Sequence, residues 1–313
     1  MRGEPTHLPK TLPLVLAAAV VGISVSGPLV RLSGAEPLAI AVWRLTFALA
    51  MIAVFLAATG TWREYRTLAR RDIAVALGAG FFLALHLWSW IASIGLTTVA
   101  ASVVLVNLHP IVMIAGSALW LGERPTRLQV VAVCIALLGA AAVAFGGATD
   151  DDAPSNPLLG NTLALLGALA VGIYYLAGRS IRQRLSIWPY VGLVYAACLV
   201  SLLTLAAISG APLLPQPRRE WLIFAAMAIG PMMLGHTSFN WMIRYVPAYV
   251  VSLALLAEPV GATLIAAVMP GISEIPGVWT LAGGGVILFG LILGTLEEDR
   301  TASASRDSPD QRS

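Results

Sequence analysis

The sequence predicts an all-α integral membrane protein: ten transmembrane helices in two inverted five-helix repeats. Three observations lead there. Hydrophobic residues make up 58% of the 313 residues and charged residues 11%, too few charges to cover a soluble domain, so lipid must solvate much of the surface. Apolar segments of membrane-spanning length recur between short polar breaks. The chain also repeats itself about 150 residues on, and long internal duplications in apolar chains mark membrane proteins built from repeats.

The segments justify themselves in order. The first, about 12–31, follows Arg2 and Lys10 and is Ala-rich, as a cleaved leader would be. Its Val21-Gly22-Ile23 returns as Val171-Gly172-Ile173, so it belongs to the repeated fold. Segments 37–58, 73–94, 98–121 and 128–146 complete a first repeat over 12–149, after an N-terminus of 1–11. A polar linker, 150–157 (Asp-Asp-Asp-Ala-Pro-Ser-Asn-Pro), separates the halves. Segments 158–178, 187–208, 221–243, 248–270 and 276–296 form the second repeat, 158–296. The small, polar stretch at 297–313 reads as a disordered tail.

Landmarks of the duplication fall at nearly constant offset. His86 stands 16 residues before Ser102, and His236 stands 16 before Ser252. His109-Pro110 returns as Glu258-Pro259. Leu121-Gly122-Glu123, followed by Gly139, is echoed by Ile272-Ser273-Glu274, followed by Gly290.

Orientation follows from the cations. With the N-terminus inside, fifteen Lys and Arg fall in cytoplasmic parts, among them Arg63, Arg66, Arg70, Arg71, Arg179, Arg182 and Arg184; Arg31, Arg218 and Arg219 fall outside. This asymmetry places both termini in the cytoplasm and requires an even number of spans. Five spans per half then force the second half to enter the membrane from the opposite side, about an axis in the membrane plane. The linker is expected to be extracytoplasmic.

Ionisable groups at mid-membrane are functional candidates because they are costly there. Those in the apolar segments are Arg44, His86, His109, His236 and Glu258, with Asn107 and Asn240 as polar companions. His86 and Trp90 are four apart and share a helix face, as do His236 and Asn240. Matched histidines in inverted repeats should flank a shared centre. They either bind substrate and relay protons or bond to backbone and hold the bundle together. Glu258 is the carboxylate placed inside a span, beside Pro259. It either carries a coupling proton or pairs with a cation or a broken helix end. Arg44 either binds an anionic group or balances Glu258, but its place near a segment end favours snorkelling to the outer interface or structural pairing. Tyr174 and Tyr175 either line a cavity or simply pack. Trp62, Trp188 and Trp221 at span ends read as interface anchors.

Other chemistries find no motif. The single lysine, Lys10, lies outside any Gly-x-x-x-x-Gly-Lys context, so the chain is not expected to drive itself with ATP. Catalytic groups, a resident metal and a cofactor are not expected, nor is nucleic acid at a net charge of +3. Cys134 and Cys198 are expected as small buried apolar side chains.

Pro110, Leu121-Gly122-Glu123 and Gly139, matched by Glu258-Pro259, Glu274 and Gly290, resemble the EamA-like branch of the drug/metabolite transporter superfamily. Arg44 fits that family's recurrent arginine in the second span, and the resemblance covers about 12–296. His109 and Ser273 depart from it, standing where Glu or Asn and Gly are usual. The resemblance implies a transporter of small metabolites, amino acids or drugs, often outward, with the site among helices 1, 3, 4, 6, 8 and 9. The expectation is therefore a secondary transporter, by alternating access, in the plasma membrane. Its partners would be a small-molecule substrate, the lipid bilayer and, through Glu258, protons. Rival readings are a passive facilitator or pore and a non-transporting membrane sensor. The expected substrate-binding residues are His86, Trp90, Asn107, His109, Tyr174, His236 and Asn240; Glu258 and Arg44 carry charge.

Overall fold

The structure, a computed structural model, describes residues 9–97, 99–122, 126–146, 155–246, 251, 254–255, 257–272, 278–279, 281–290 and 292–293. Residues 1–8, most of the expected linker, the expected tail, and Glu123, Ser252, Ser273 and Glu274 lie outside them.

Every regular element among the described residues is helical: α1 (Leu12–Ser24), α2 (Ser26–Leu32), α3 (Pro37–Thr59), α4 (Arg70–Leu96), α5 (Val99–Val106), α6 (His109–Gly116), α7 (Arg127–Gly146), α8 (Pro157–Arg182), α9 (Ile187–Ser209), α10 (Arg218–Met227), α11 (Ser238–Met242), α12 (Glu258–Val268) and α13 (Leu281–Gly290). Among the described residues, seven helical stretches, some of them interrupted, are long and apolar enough to cross a membrane: Leu12–Leu32, Pro37–Thr59, Arg70–Leu96, Ala101–Trp120, Pro157–Arg182, Ile187–Ser209 and Arg218–Met242. Shorter apolar stretches stand where the fifth, ninth and tenth segments were expected: Val130–Gly139 within α7, Glu258–Val268 and Leu281–Gly290.

Local chemistry sets the ends. Glu36 caps α3 by accepting from the Leu38 amide at 2.8 Å, and Asn156 caps α8 by accepting from Leu159 at 3.2 Å. Pro37, Pro157 and Pro259 occupy first-turn positions, where a missing N–H costs nothing. Gly60 and Gly210 end α3 and α9 in the left-handed region, at φ 67° and 68°.

Carboxylates fasten the bundle at both ends of α3. At its C-terminal end, Glu64 accepts from the Ser186 amide at 3.0 Å and its hydroxyl at 2.5 Å, just before α9. Arg184 pairs with Asp72 at 2.8 Å, and half-buried Tyr65 donates to the Pro189 carbonyl at 3.1 Å. Burial, and then the charge of Glu64, push the Tyr65 phenol above its ordinary pKa. At the N-terminal end, Glu220 accepts from the Ser33 hydroxyl at 2.5 Å and the Gly34 amide at 3.1 Å.

The duplicated glycines sit at a reciprocal crossing of α7 and α13. A Cβ on Gly139 would meet the Gly283 carbonyl at 2.6 Å and the Ile287 amide at 2.9 Å. A Cβ on Gly290 would meet the Ala132 carbonyl at 2.8 Å and the Ala136 amide at 3.0 Å. Each glycine packs on the counterparts of the residues its twin packs on, the signature of a two-fold relation.

Two expectations need correction. Arg44 is 0% exposed, so it does not snorkel: its place in α3 turns it into the bundle. Cys198 is buried, but Cys134 is exposed on the apolar outer face of α7. A sequence position inside an apolar run does not tell the lipid-facing side of a helix from the protein-facing side.

Candidate functional site

Two broken helices build the centre. The fourth apolar segment interrupts at Asn107-Leu108, between α5 and α6, and Pro110 follows without an N–H to donate. In the second half, α12 opens with Glu258-Pro259. Irregular backbone at such depth is tolerated where it lines a cavity. A third irregularity is the wide-turn π stretch at Ala228–Thr237, which contains Pro231 and carries His236. Gly22 of α1 lies against it so closely that a Cβ would meet the Leu234 Cβ at 2.7 Å and the Gly230 carbonyl at 2.8 Å.

Between these elements lies a cavity lined by Ile23, Ser26, His86, Trp90, Val106, Asn107, His109, Val171, Tyr175, His236, Leu255 and Glu258. Its volume is about 30 Å³, room for a few waters or an ion of about their combined size and not for a larger metabolite. Both halves contribute. The rings of His86 and its repeat counterpart His236 meet edge to face at 5.8 Å, and a residue touching its own copy lies near the axis relating the copies. His86 also stacks on Trp90 at 6.2 Å and 5°.

Hydrogen bonds assign the polar atoms. His86 Nδ1 is 3.0 Å from the Gly167 carbonyl, and His109 Nδ1 is 3.1 Å from that of Val106. A carbonyl only accepts, so in the neutral ring Nδ1 carries the hydrogen and Nε2 is an acceptor. Tyr175 and His236 share a hydrogen bond of 3.1 Å. Asn107 Nδ2 donates to the Val103 carbonyl at 2.7 Å and to Glu258 at 3.4 Å, across the two halves. Several buried atoms have no partner among the described residues: Ser26 Oγ, Trp90 Nε1, Asn107 Oδ1 and His109 Nε2. Buried polar atoms without partners cost stability, and here four of them belong to residues of one cavity wall.

Of the nine expected residues, His86, Trp90, Asn107, His109, His236 and Glu258 line this cavity. Tyr174, Asn240 and Arg44 stand behind the wall. Asn240 donates to the Tyr174 hydroxyl and to the His236 carbonyl, which positions His236. Arg44 Nη2 donates to the Met232 thioether at 3.1 Å, while its Nε and Nη1 have no partner among the described residues. Sequence reasoning passed over Ser26, Ile23 and Val171. The recurring Val-Gly-Ile triplet was the available signal, since Ile23 and Val171 are the cavity-facing members of its two copies.

The profile of the EamA-like transporter family matches residues 11–145 and 158–296. The chain belongs to that family. Its two matched stretches are the two repeats, and membership makes this EamA-like protein a membrane transporter of small molecules. No curated protein matches it. A solved structure, described as a crystal structure of a protein, aligns with a TM-score of 0.75 at 20% identity, covering 94% of this chain and 99% of that one. At that identity the likeness is one of fold.

Proposed function

We propose that this EamA-like protein is a secondary active transporter that exports a small metabolite, such as an amino acid, a related compound or a drug, across the plasma membrane. It works by alternating access, with ten spans in two halves inverted about an in-plane axis, both termini cytoplasmic, and Glu258 as the proton carrier. The observation that supports this most is the meeting of His86 with His236 at a cavity walled by both halves. A site on the axis between repeats keeps its contacts while one half rocks against the other, which is what alternating access requires. The reciprocal packing of Gly139 and Gly290 supports a hinge on the same relation. Glu258 supports the coupling role because it is buried, lines the cavity, and among the described residues accepts one long hydrogen bond, from Asn107.

The test uses protein in proteoliposomes, with a metabolite screen by ligand-induced thermal shift to supply the substrate. An imposed proton gradient is expected to drive flux of that substrate. Glu258→Gln should abolish gradient-driven flux and leave a folded protein that still exchanges substrate. Coupled flux undiminished in the variant would end the proton role, and wild-type flux indifferent to the gradient would make the protein a passive facilitator.

A further inference from the structure

Resting on the proton-coupled reading, we infer that the central site takes a small organic anion, bearing one carboxylate or similar oxyanion, and takes it together with a proton on Glu258.

The argument begins at Arg44. It is wholly enclosed, with one N–H group on the Met232 sulfur and Nε and Nη1 unpartnered among the described residues. A guanidinium does not give up its proton in a protein, so the bundle holds a permanent positive charge. That charge acts on His86 and His236 in the cavity wall and on Tyr195 behind it, and Glu258 is the carboxylate that acts back on it. Arg44 and ionised Glu258 together are neutral. Once Glu258 binds a proton, one positive charge is left uncompensated in a low-dielectric interior.

A monoanion restores the balance. A cation worsens it in either protonation state of Glu258. A neutral or zwitterionic molecule leaves the balance as it finds it, so its binding gains nothing from the proton. Anion and proton each improve the other's binding, and that mutual preference is the coupling.

The wall agrees. Trp90 Nε1–H and the Ser26 hydroxyl are buried donors without partners among the described residues, at 3% and 1% exposure. Protonated Glu258 would add a third donor, where its carboxylate would repel an anion. Helices α6 and α12 both open at cavity residues, His109 and Glu258, bringing the positive ends of two helix dipoles to the site. Asn107 Oδ1 and His109 Nε2 remain to accept from a hydroxyl or N–H elsewhere on the substrate. The groups that bear on Glu258 from the packed elements are Arg44, His86, Asn107, His109, Tyr175 and His236, none of them a second acid. Anion plus proton crosses as a neutral load, so its direction follows the combined gradients of anion and proton.

The test uses the full chain in detergent, with acetate as probe against methylammonium and glycine at constant ionic strength. Acetate is expected to raise the melting temperature where the other two do not. Its affinity should fall about tenfold per pH unit above the titration of Glu258, and each bound acetate should draw about one proton from a weakly buffered solution. Arg44→Gln should remove the shift. Glu258→Gln should keep acetate binding while losing both the pH dependence and the proton uptake. If Arg44→Gln does not fold, the wild-type proton uptake and the Glu258→Gln titration still decide. The inference is overturned by stabilisation from methylammonium instead, by acetate binding without proton uptake, or by no acetate shift at all. Gradient-driven flux of amines or zwitterions would sink the anion and spare the transporter. Proton-linked acetate binding without gradient-driven flux would do the reverse.

Discussion

Trp90 carries two separable features: a ring that stacks on His86, and a buried Nε1–H without a partner among the described residues. Trp90→Phe keeps an aromatic ring and removes the donor. Because the lost group makes no hydrogen bond within the described protein, thermal stability should change by less than about 1 kcal/mol. Binding of the screened substrate should weaken several-fold. A large stability loss with unchanged binding would make Trp90 a packing residue. His86 behaves differently, since its Nδ1–H bonds the Gly167 carbonyl and so ties α4 to α8. It is a structural joint that also lines the cavity. Residue types and repeat offsets made His86, His109, His236 and Glu258 legible. Which ring nitrogen of His86 carries the hydrogen was not, because that depends on a carbonyl 81 positions away in the chain.

At the scale of elements, the α7–α13 crossing depends on having no side chain at two points. Gly139→Ala places a methyl 2.6 Å from the Gly283 carbonyl, which must push the helices apart. Overpacking of this kind costs about 1–3 kcal/mol. Gly285→Ala meets nothing within 4 Å and should be neutral or stabilising by up to about 1 kcal/mol, since alanine favours helix. Thermal melts of the two variants side by side test the crossing, and equal melting temperatures would remove it. The helices themselves were legible from apolar length. The breaks were only partly so. Pro259 signalled irregular backbone, but the π stretch carrying His236 contains Pro231 and is closely approached by Gly22, and periodicity alone does not reveal a wide turn.

For the whole molecule, the joints at the two ends of α3 are its most testable property. Glu64 holds the start of α9, and Glu220 holds the chain after α2. A 23-residue helix separates them by roughly 35 Å. Sites that far apart without shared partners act independently. Glu64→Ala and Glu220→Ala should each cost about 1–3 kcal/mol, and the double variant should cost their sum to within about 0.5 kcal/mol. A clear departure from the sum, read by denaturation, would show that the two ends are mechanically coupled.

By itself the sequence determined the membrane class, the duplication, the places of the apolar segments and the polar residues worth watching. Those follow from composition and spacing, which lipid imposes on any chain that must hide its backbone. Tertiary structure alone decided which polar residues share a cavity. It placed His86 against its own copy, brought Asn107 to Glu258 across the halves, set Tyr174 and Asn240 behind His236, and enclosed Arg44, for which the sequence had left snorkelling or structural pairing open. The reason is physical: the rotation of a helix about its axis is fixed by the neighbours it packs against, and a stretch that is apolar on nearly every face leaves that rotation unwritten in its sequence.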